Sequence, residues 1–150
     1  MARLTWRGES ADSLSLRMVR EGQMTGKRAL RHMRKVSKAT LQTAVEWSPV
    51  DYKGETRNSM PLHELERSHR IVETPGDNRR IEAVIEVGGM VGEVDVDLYA
   101  MWIHDGSYER GPATEAKGPN AGPGWLERAM DRHSDDFEPL LDELLEGLLG

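Results

Sequence analysis

Residues 69–87 read His69-Arg-Ile-Val-Glu-Thr-Pro75-Gly76-Asp77-Asn78-Arg-Arg80-Ile-Glu-Ala-Val-Ile-Glu-Val87. His69, Ile71 and Glu73 alternate with Arg70, Val72 and Thr74, the period of a β-strand. Pro75 to Asn78 is a turn with a mechanism, because proline presets φ while Gly and Asn tolerate positive φ. Arg80 to Val87 alternates less strictly, as a strand half covered by a helix would. Two strands joined so tightly must run antiparallel. Gly88-Gly89 then turns the chain, and Val91 to Asp97 predicts another strand with Val94 and Val96 on one side. Leu4 and Trp6 alternate with polar neighbours in residues 1–8 and offer a short fourth strand.

Working outward, residues 10–21 are predicted to be weakly helical, interrupted at Gly22 and Gly26. From Thr25, a plausible N-cap, to Trp47 the pattern is strongly helical. Leu30, Met33, Ser37, Leu41 and Ala44 share one face, with Ala29, Val36, Thr40 and Val45 beside them, while Arg28, Arg31, Lys35 and Lys38 share the other. Pro49 ends this helix, since a residue before proline avoids helical geometry. A polar loop is expected over 48–61. Leu98 to Asp105 is a compact apolar run that finishes a strand or makes one or two helical turns. Residues 106–124 contain 8 Gly or Pro and are expected to be a long loop. A final helix starts near Pro123 and buries Leu126, Met130, Phe137, Leu140, Leu141, Leu144, Leu145 and Leu148. Pro139 must kink it or divide it, with Ser134 or Asp135 recapping the second part. The sum is a single α+β domain over 1–150. An antiparallel meander of three to four strands is packed by a long N-terminal helix and a kinked C-terminal helix.

Composition narrows the chemistry. The chain of 150 residues has no cysteine, which removes disulfides, Cys-ligated zinc and thiol nucleophiles. No stretch approaches the roughly 18 apolar residues of a membrane helix, so no membrane partner is expected. Arg3 and Arg7 flank no apolar core, so no secretory signal is expected either. The formal net charge of −6 hides an asymmetry. Eight basic residues face Glu21 alone between Arg17 and Lys38, whereas eight acidic residues face Arg128 and Arg132 between Glu127 and Gly150. Two solvated faces would suffice, but complementary pairing, within one chain or between copies, is the alternative.

Motif searches return little chemistry. There is no phosphate-binding Gly-rich loop ending in Lys-Ser/Thr, no Gly-x-Ser-x-Gly elbow and no His-Glu-x-x-His. His104-Asp105 is the pair closest to a general base with its orienting carboxylate. The plain reading is a histidine that closes an apolar segment and hydrogen-bonds locally. Asp51, Glu55, Asp95 and Asp97 could be proposed as metal ligands, with Asp95 and Asp97 two apart on one strand face. The plain reading is a solvated face. No catalytic residue, metal ligand or cofactor is therefore expected. The basic helix face over 27–38 could contact phosphates, but no aromatic interleaves it and no base-reading motif surrounds it.

Three features nevertheless occur together in one order. A long helix ends in Trp47-Ser48-Pro49-Val50-Asp51, followed by Gly54, Arg57, Asn58 and Ser59. Then come Tyr99-Ala100-x-Trp102-Ile103-His104-x-Gly106, and finally Gly122-Pro123-Gly124-Trp125-Leu126-x-x-Ala129 before the last helix. Over roughly residues 25–135 this resembles the small tail-component family of long-tailed bacteriophages, the tail-completion or head–tail joining proteins. The chain departs from the family pattern in carrying one extra residue between Pro49 and Gly54, Thr56 for a leucine and Trp125 for a phenylalanine. His104-Asp105 also replaces a Glu and its neighbour, and Ser107 replaces a Thr.

The resemblance implies a structural virion protein of the neck or upper tail, made in the host cytoplasm. It implies assembly as a ring of six copies, joining a head-side connector or stopper to the tail tube or terminator, with DNA passing through the lumen without sequence-specific binding. On this reading the basic Arg28, Arg31, Lys35 and Lys38 of one copy meet the acidic Asp135, Asp136, Asp142 and Glu143 of its neighbour. The 106–124 loop then orders on contact with the next ring. A non-sequence-specific nucleic-acid-binding accessory protein is the alternative function, and a small hydrolase centred on His104-Asp105 a third.

Overall fold

A computed structural model describes residues 2–10, 13–21, 27–54, 58–74 and 80–137. Two nine-residue strands open the chain, β1 (Ala2–Ser10) and β2 (Ser13–Glu21), followed by helix α1 (Lys27–Trp47). A small hairpin, β3 (Asp51–Lys53) and β4 (Ser59–Pro61), leads through α2 (His63–Arg67) into β5 (His69–Thr74) and β6 (Arg80–Val87). Two-residue strands β7 (Met90–Val91) and β8 (Val94–Asp95) precede α3 (Ala100–Asp105), α4 (Pro112–Ala116) and α5 (Trp125–His133).

The principal sheet has the order β1-β2-β6-β5 and every pair in it is antiparallel. The α+β class is therefore as expected, and β5 and β6 pair as the alternation predicts, from His69↔Val87 to Thr74↔Glu82. The turn predicted at 75–78 lies outside the described residues.

Two local expectations fail. Residues 10–21 are not weakly helical: Ser13 to Glu21 is β2, paired with β1 and along β6 from Leu14↔Val87 to Glu21↔Arg80. Leu14, Leu16 and Met18 recur at period 2 and also span one helical turn, and the partner strand β6 decides for the sheet. Residues 91–97 do not form a third strand beside β6, where β2 already lies. The Asp95 carboxylate accepts from Asp97 N–H at 3.1 Å and caps a 3₁₀ turn over Val96–Leu98. A side chain that satisfies local backbone in this way competes with ladder pairing.

Helix α1 lies across β5 and β6, and α5 packs along α1. Met33, Val36 and Ala44 of α1 meet Ala83, Ile85 and Val87 of β6 and Leu126, Ala129 and Met130 of α5 in one buried cluster. Ser37 and Thr40 are buried on the same face because their hydroxyls donate back to Met33 and Val36 carbonyls, at 2.6 and 2.8 Å. Helix α1 ends at Trp47, two residues before Pro49, as predicted, while the Thr25 cap lies outside the described residues. Helix α5 gives way to a 3₁₀ turn at Ser134–Phe137, so the helix changes pitch before Pro139. Residues 138–150, with Pro139 and the leucines from Leu140 onward, lie outside the described residues.

Candidate functional site

The polar loop expected over 48–61 is instead organised around one carboxylate. Asp51, 5% exposed, stands at the start of β3. Its Oδ1 accepts from Thr114 N–H at 2.8 Å, and its Oδ2 accepts from Ala113 N–H at 3.0 Å and from the Ser59 hydroxyl at 2.7 Å. Ala113 and Thr114 occupy the first turn of α4, whose N–H groups have no partner within the helix. Asp51 thus caps a helix 62 positions downstream. The Thr114 hydroxyl, fully buried, accepts in turn from Val50 and Asp51 N–H, each at 3.0 Å. Gly111 completes the join, for a Cβ there would overlap the Asp51 carboxylate. Burial raises the Asp51 pKa. The hydrogen bonds from Ser59, Thr114 and Ala113 more than offset that and hold it below the usual carboxylate value.

The same clamp organises the long 106–124 segment. Lys117 donates to the Val45 and Ser48 carbonyls at the end of α1 (3.3 and 2.9 Å), joining the Ser48 N–H and hydroxyl that also donate to Val45. Arg110 donates to the Gly118 carbonyl at 2.9 Å, and Arg128 to the Asn120 carbonyl at 2.7 Å. The expectation that this loop orders only against another ring is therefore corrected. Within one chain it holds α4 and is stitched through its own carbonyls.

Above the clamp lies an aromatic platform. Tyr52 of β3 meets Trp102 of α3 edge-on at 5.3 Å between ring centres, and Tyr108 stacks on Trp102 at 5.6 Å. Tyr108 is anchored by its hydroxyl, which donates to the Ile103 carbonyl at 2.8 Å. Trp102 remains 52% exposed. Met60 sits opposite Tyr52 in the β3–β4 pair and is exposed, as is Leu98, four residues before Trp102. Rigid, half-exposed aromatics beside exposed aliphatics are the composition of a contact surface.

His104 is buried, 4% exposed, with Nδ1 at 2.8 Å from Asp105 Oδ1 and its ring edge-on to Trp125 at 5.0 Å. Burial lowers its pKa against the opposing pull of Asp105, so the ring is neutral near pH 7. Trp125, fully buried, also donates from Nε1 to His69 Nε2 at 3.0 Å. His69 must then carry its proton on Nδ1, which faces the Leu65 carbonyl at 2.9 Å. Burial, aided by Lys117, pushes His69 down to about 4 from an ordinary 6.5. The unfolded chain binds that proton between these values and the folded chain does not, so stability falls as pH drops from 6.5 toward 4. The loss should be about 3 kcal/mol at full extent. Urea midpoints at pH 7 and pH 4.5 check this, and a His69→Gln variant should show a shallower slope over that window.

The other expected residues fall into place as follows. Gly54 N–H donates to the Asn58 carbonyl at 2.9 Å and closes the β3–β4 hairpin, Ser59 binds Asp51, and Arg57 lies outside the described residues. Pro49, Ala100, Trp125, Leu126 and Ala129 are buried, and Tyr99 is half-buried. Gly106 leaves α3 where a Cβ would overlap the Trp102 carbonyl oxygen.

The proposed metal carboxylates are committed elsewhere. Asp97 accepts from Gly89 N–H at 3.0 Å, and Asp95 and Asp97 do not share a strand face, because Asp97 sits in the 3₁₀ turn. Glu55 lies outside the described residues. Among the described residues no group of three or more His, Asp or Glu is placed to hold a metal ion.

Arg31, Lys35 and Lys38 are exposed on α1, as are Asp135 and Asp136 after α5, where His133 Nδ1 lies 2.8 Å from Asp136 Oδ2. Asp142, Glu143 and the side chain of Arg28 lie outside the described residues. Between α1 and β5, Arg34 grips Glu73 with two nitrogens (2.9 and 3.1 Å). This pair lines an open cavity of ≈ 440 Å³ together with Ser37, Lys38 and Ile71. No described helix is long and apolar enough to cross a membrane.

Compared with protein-family models, curated proteins and solved structures, the chain matches none.

Proposed function

We propose that the protein is a structural component of a tailed-bacteriophage virion. It forms a ring at the neck or upper tail, between a head-side connector and the tail tube, and DNA passes through the ring. The observation that carries this reading is the convergence of the three segments behind the family resemblance. Asp51 of the first, held by the Ser59 hydroxyl, is joined to α4, and Tyr52, beside Asp51, packs on Trp102 of the second. Trp125 of the third packs on His104 of the second, and Gly124 N–H donates to the His104 carbonyl at 2.9 Å. The shared residues thus build one unit, and that unit carries the exposed aromatic platform. Burial of His104 against Trp125 counts against a hydrolase.

In this reading the platform is the surface offered to the connector or tube protein. A Leu98→Ser/Trp102→Ser double variant should stay folded with a modest fall in melting temperature, because Leu98 is exposed and Trp102 is half-exposed and gives up only its contacts with Tyr52 and Tyr108. It should lose at least tenfold in affinity for the neighbouring virion protein, as removal of an aromatic anchor does. Unchanged affinity would remove the platform from the contact. Light scattering and negative-stain images, in low and high salt, should show a ring. A monomer under all conditions, with no affinity for connector or tube protein, sinks the reading.

The alternative, a nucleic-acid-binding accessory protein, is favoured by the exposure of Arg31, Lys35 and Lys38 on one helix face. A salt-titrated DNA-binding assay decides it, since phosphate contacts must weaken steeply with salt. No affinity at low salt removes it.

A further inference from the structure

The principal sheet has two outer strands, β1 and β5, and among the described residues no strand pairs with the outer side of either. An unpaired edge presents a row of free N–H and C=O groups to any strand of matching length and direction. Four antiparallel strands are an even number, so β1 and β5 run in opposite directions. A second copy placed edge to edge would therefore extend the same antiparallel ladder from β5 of one copy to β1 of the next. The lengths agree as well. β5 has six residues, and β1 is regularly paired over six, Ala2 to Arg7, before its register breaks ahead of Ser10. We propose that copies of this chain join head to tail through β1 of one copy and β5 of the next.

This deepens the ring reading and rests on it. A contact between two different edges is heterologous, and heterologous contacts close into rings when the rotation per copy allows it. The pleat fixes the register further. Trp6, Leu16, Ile85 and Ile71 stand in one cross-strand row, and Leu4, Met18, Ala83 and Glu73 in the next. To keep these rows on one face with the greatest overlap, five pairs, residue 4 of the incoming copy must lie opposite residue 71 or 73. A slip by one residue would move the whole row to the other face. Residue 5 then lies opposite residue 70 or residue 72.

The chain has no cysteine, so paired cysteines report this contact without background. Thr5→Cys/Arg70→Cys and Thr5→Cys/Val72→Cys should be purified, checked for native circular dichroism and oxidised mildly. One of the two should give a ladder of covalent oligomers on a non-reducing gel, ending at the ring size and collapsing with reductant. The single variants should stop at dimers, and Thr5→Cys/Ile71→Cys, one position out of register, should give no ladder. Rings seen by light scattering with no ladder from either pair would overturn the edge contact and leave the ring reading standing. A monomer at every concentration would overturn both.

Discussion

Replacing Asp51 by alanine is expected to remove about 4 kcal/mol of folding stability, with hydrogen bonds to a charged group taken at about 1.5–3 kcal/mol each. The carboxylate gathers the Ala113 and Thr114 N–H groups and the Ser59 hydroxyl, at 2.7–3.0 Å. Alanine leaves the Thr114 N–H facing an empty, buried site and takes the carboxylate from the Ala113 N–H and the Ser59 hydroxyl. The figure is set below the sum of the bonds because Ser59 is exposed and Ala113 borders solvent. Single domains are stable by only about 5–15 kcal/mol, so a loss of this size is readily measured as a urea midpoint.

Asp51→Asn is the informative comparison. It keeps the shape but turns an amide donor toward groups that are themselves donors, and should cost about half as much. The pH dependence has a defined sign. A carboxylate held below its ordinary value stabilises the fold at neutral pH and loses that effect as pH falls through its lowered pKa. The acid limb should therefore fall in two stages, His69 first, between 6.5 and 4, and Asp51 below it. The lower stage should vanish in Asp51→Asn.

The contrast between Asp51 and α1 shows what one sequence can reveal. Helix α1 is readable because its signal is local. Met33, Val36 and Ala44 recur at helical spacing, and Pro49 stops the helix within two residues of where it ends. The β5–β6 pair is legible for the same reason, whereas the 98–105 run leaves strand and helix open and only the structure makes it α3. Asp51 looks like a solvated loop residue, because its partners are 62 and 63 positions away and nothing local announces them. The 106–124 segment is misread in the mirror-image way. Its Gly and Pro content is that of a mobile loop, yet Gly111 is there so that the chain can pass close to the Asp51 carboxylate. The β1–β2 hairpin was missed over Ser13–Glu21 because Leu14 and Met18 fit a helix and a strand equally. Only the neighbour β6 chooses between them. Trp102 points outward for a reason the sequence does not carry, namely that Tyr52 and Tyr108 hold it from the side.

Trp125 should be the costliest single position. Its side chain is fully buried between His104 and His69, in the wall shared by α3, β5 and α5. Tryptophan to alanine in a core costs about 3–5 kcal/mol from lost burial and the cavity left behind. Here the indole N–H is also the donor to His69 Nε2, and an acceptor left buried without its donor costs about 1–3 kcal/mol more. Trp125→Ala is therefore expected to consume most of the stability of the domain and to be largely unfolded at 37 °C by circular dichroism. Trp125→Phe separates the two contributions. It retains most of the ring area and removes only the donor, so it should cost about 2 kcal/mol, the polar share and a small volume loss. It should also free His69 Nε2 to take a proton. The His69 pKa in the folded protein should then rise somewhat from about 4, while the burial that chiefly lowers it keeps it below the ordinary 6.5, and the pH dependence in that window should become shallower. A Trp125→Phe/His69→Gln double variant should then lose less than the sum of the two singles, since the bond they share can be lost only once. Strict additivity would show that the Trp125–His69 bond contributes nothing, and that the whole penalty of losing Trp125 is volume.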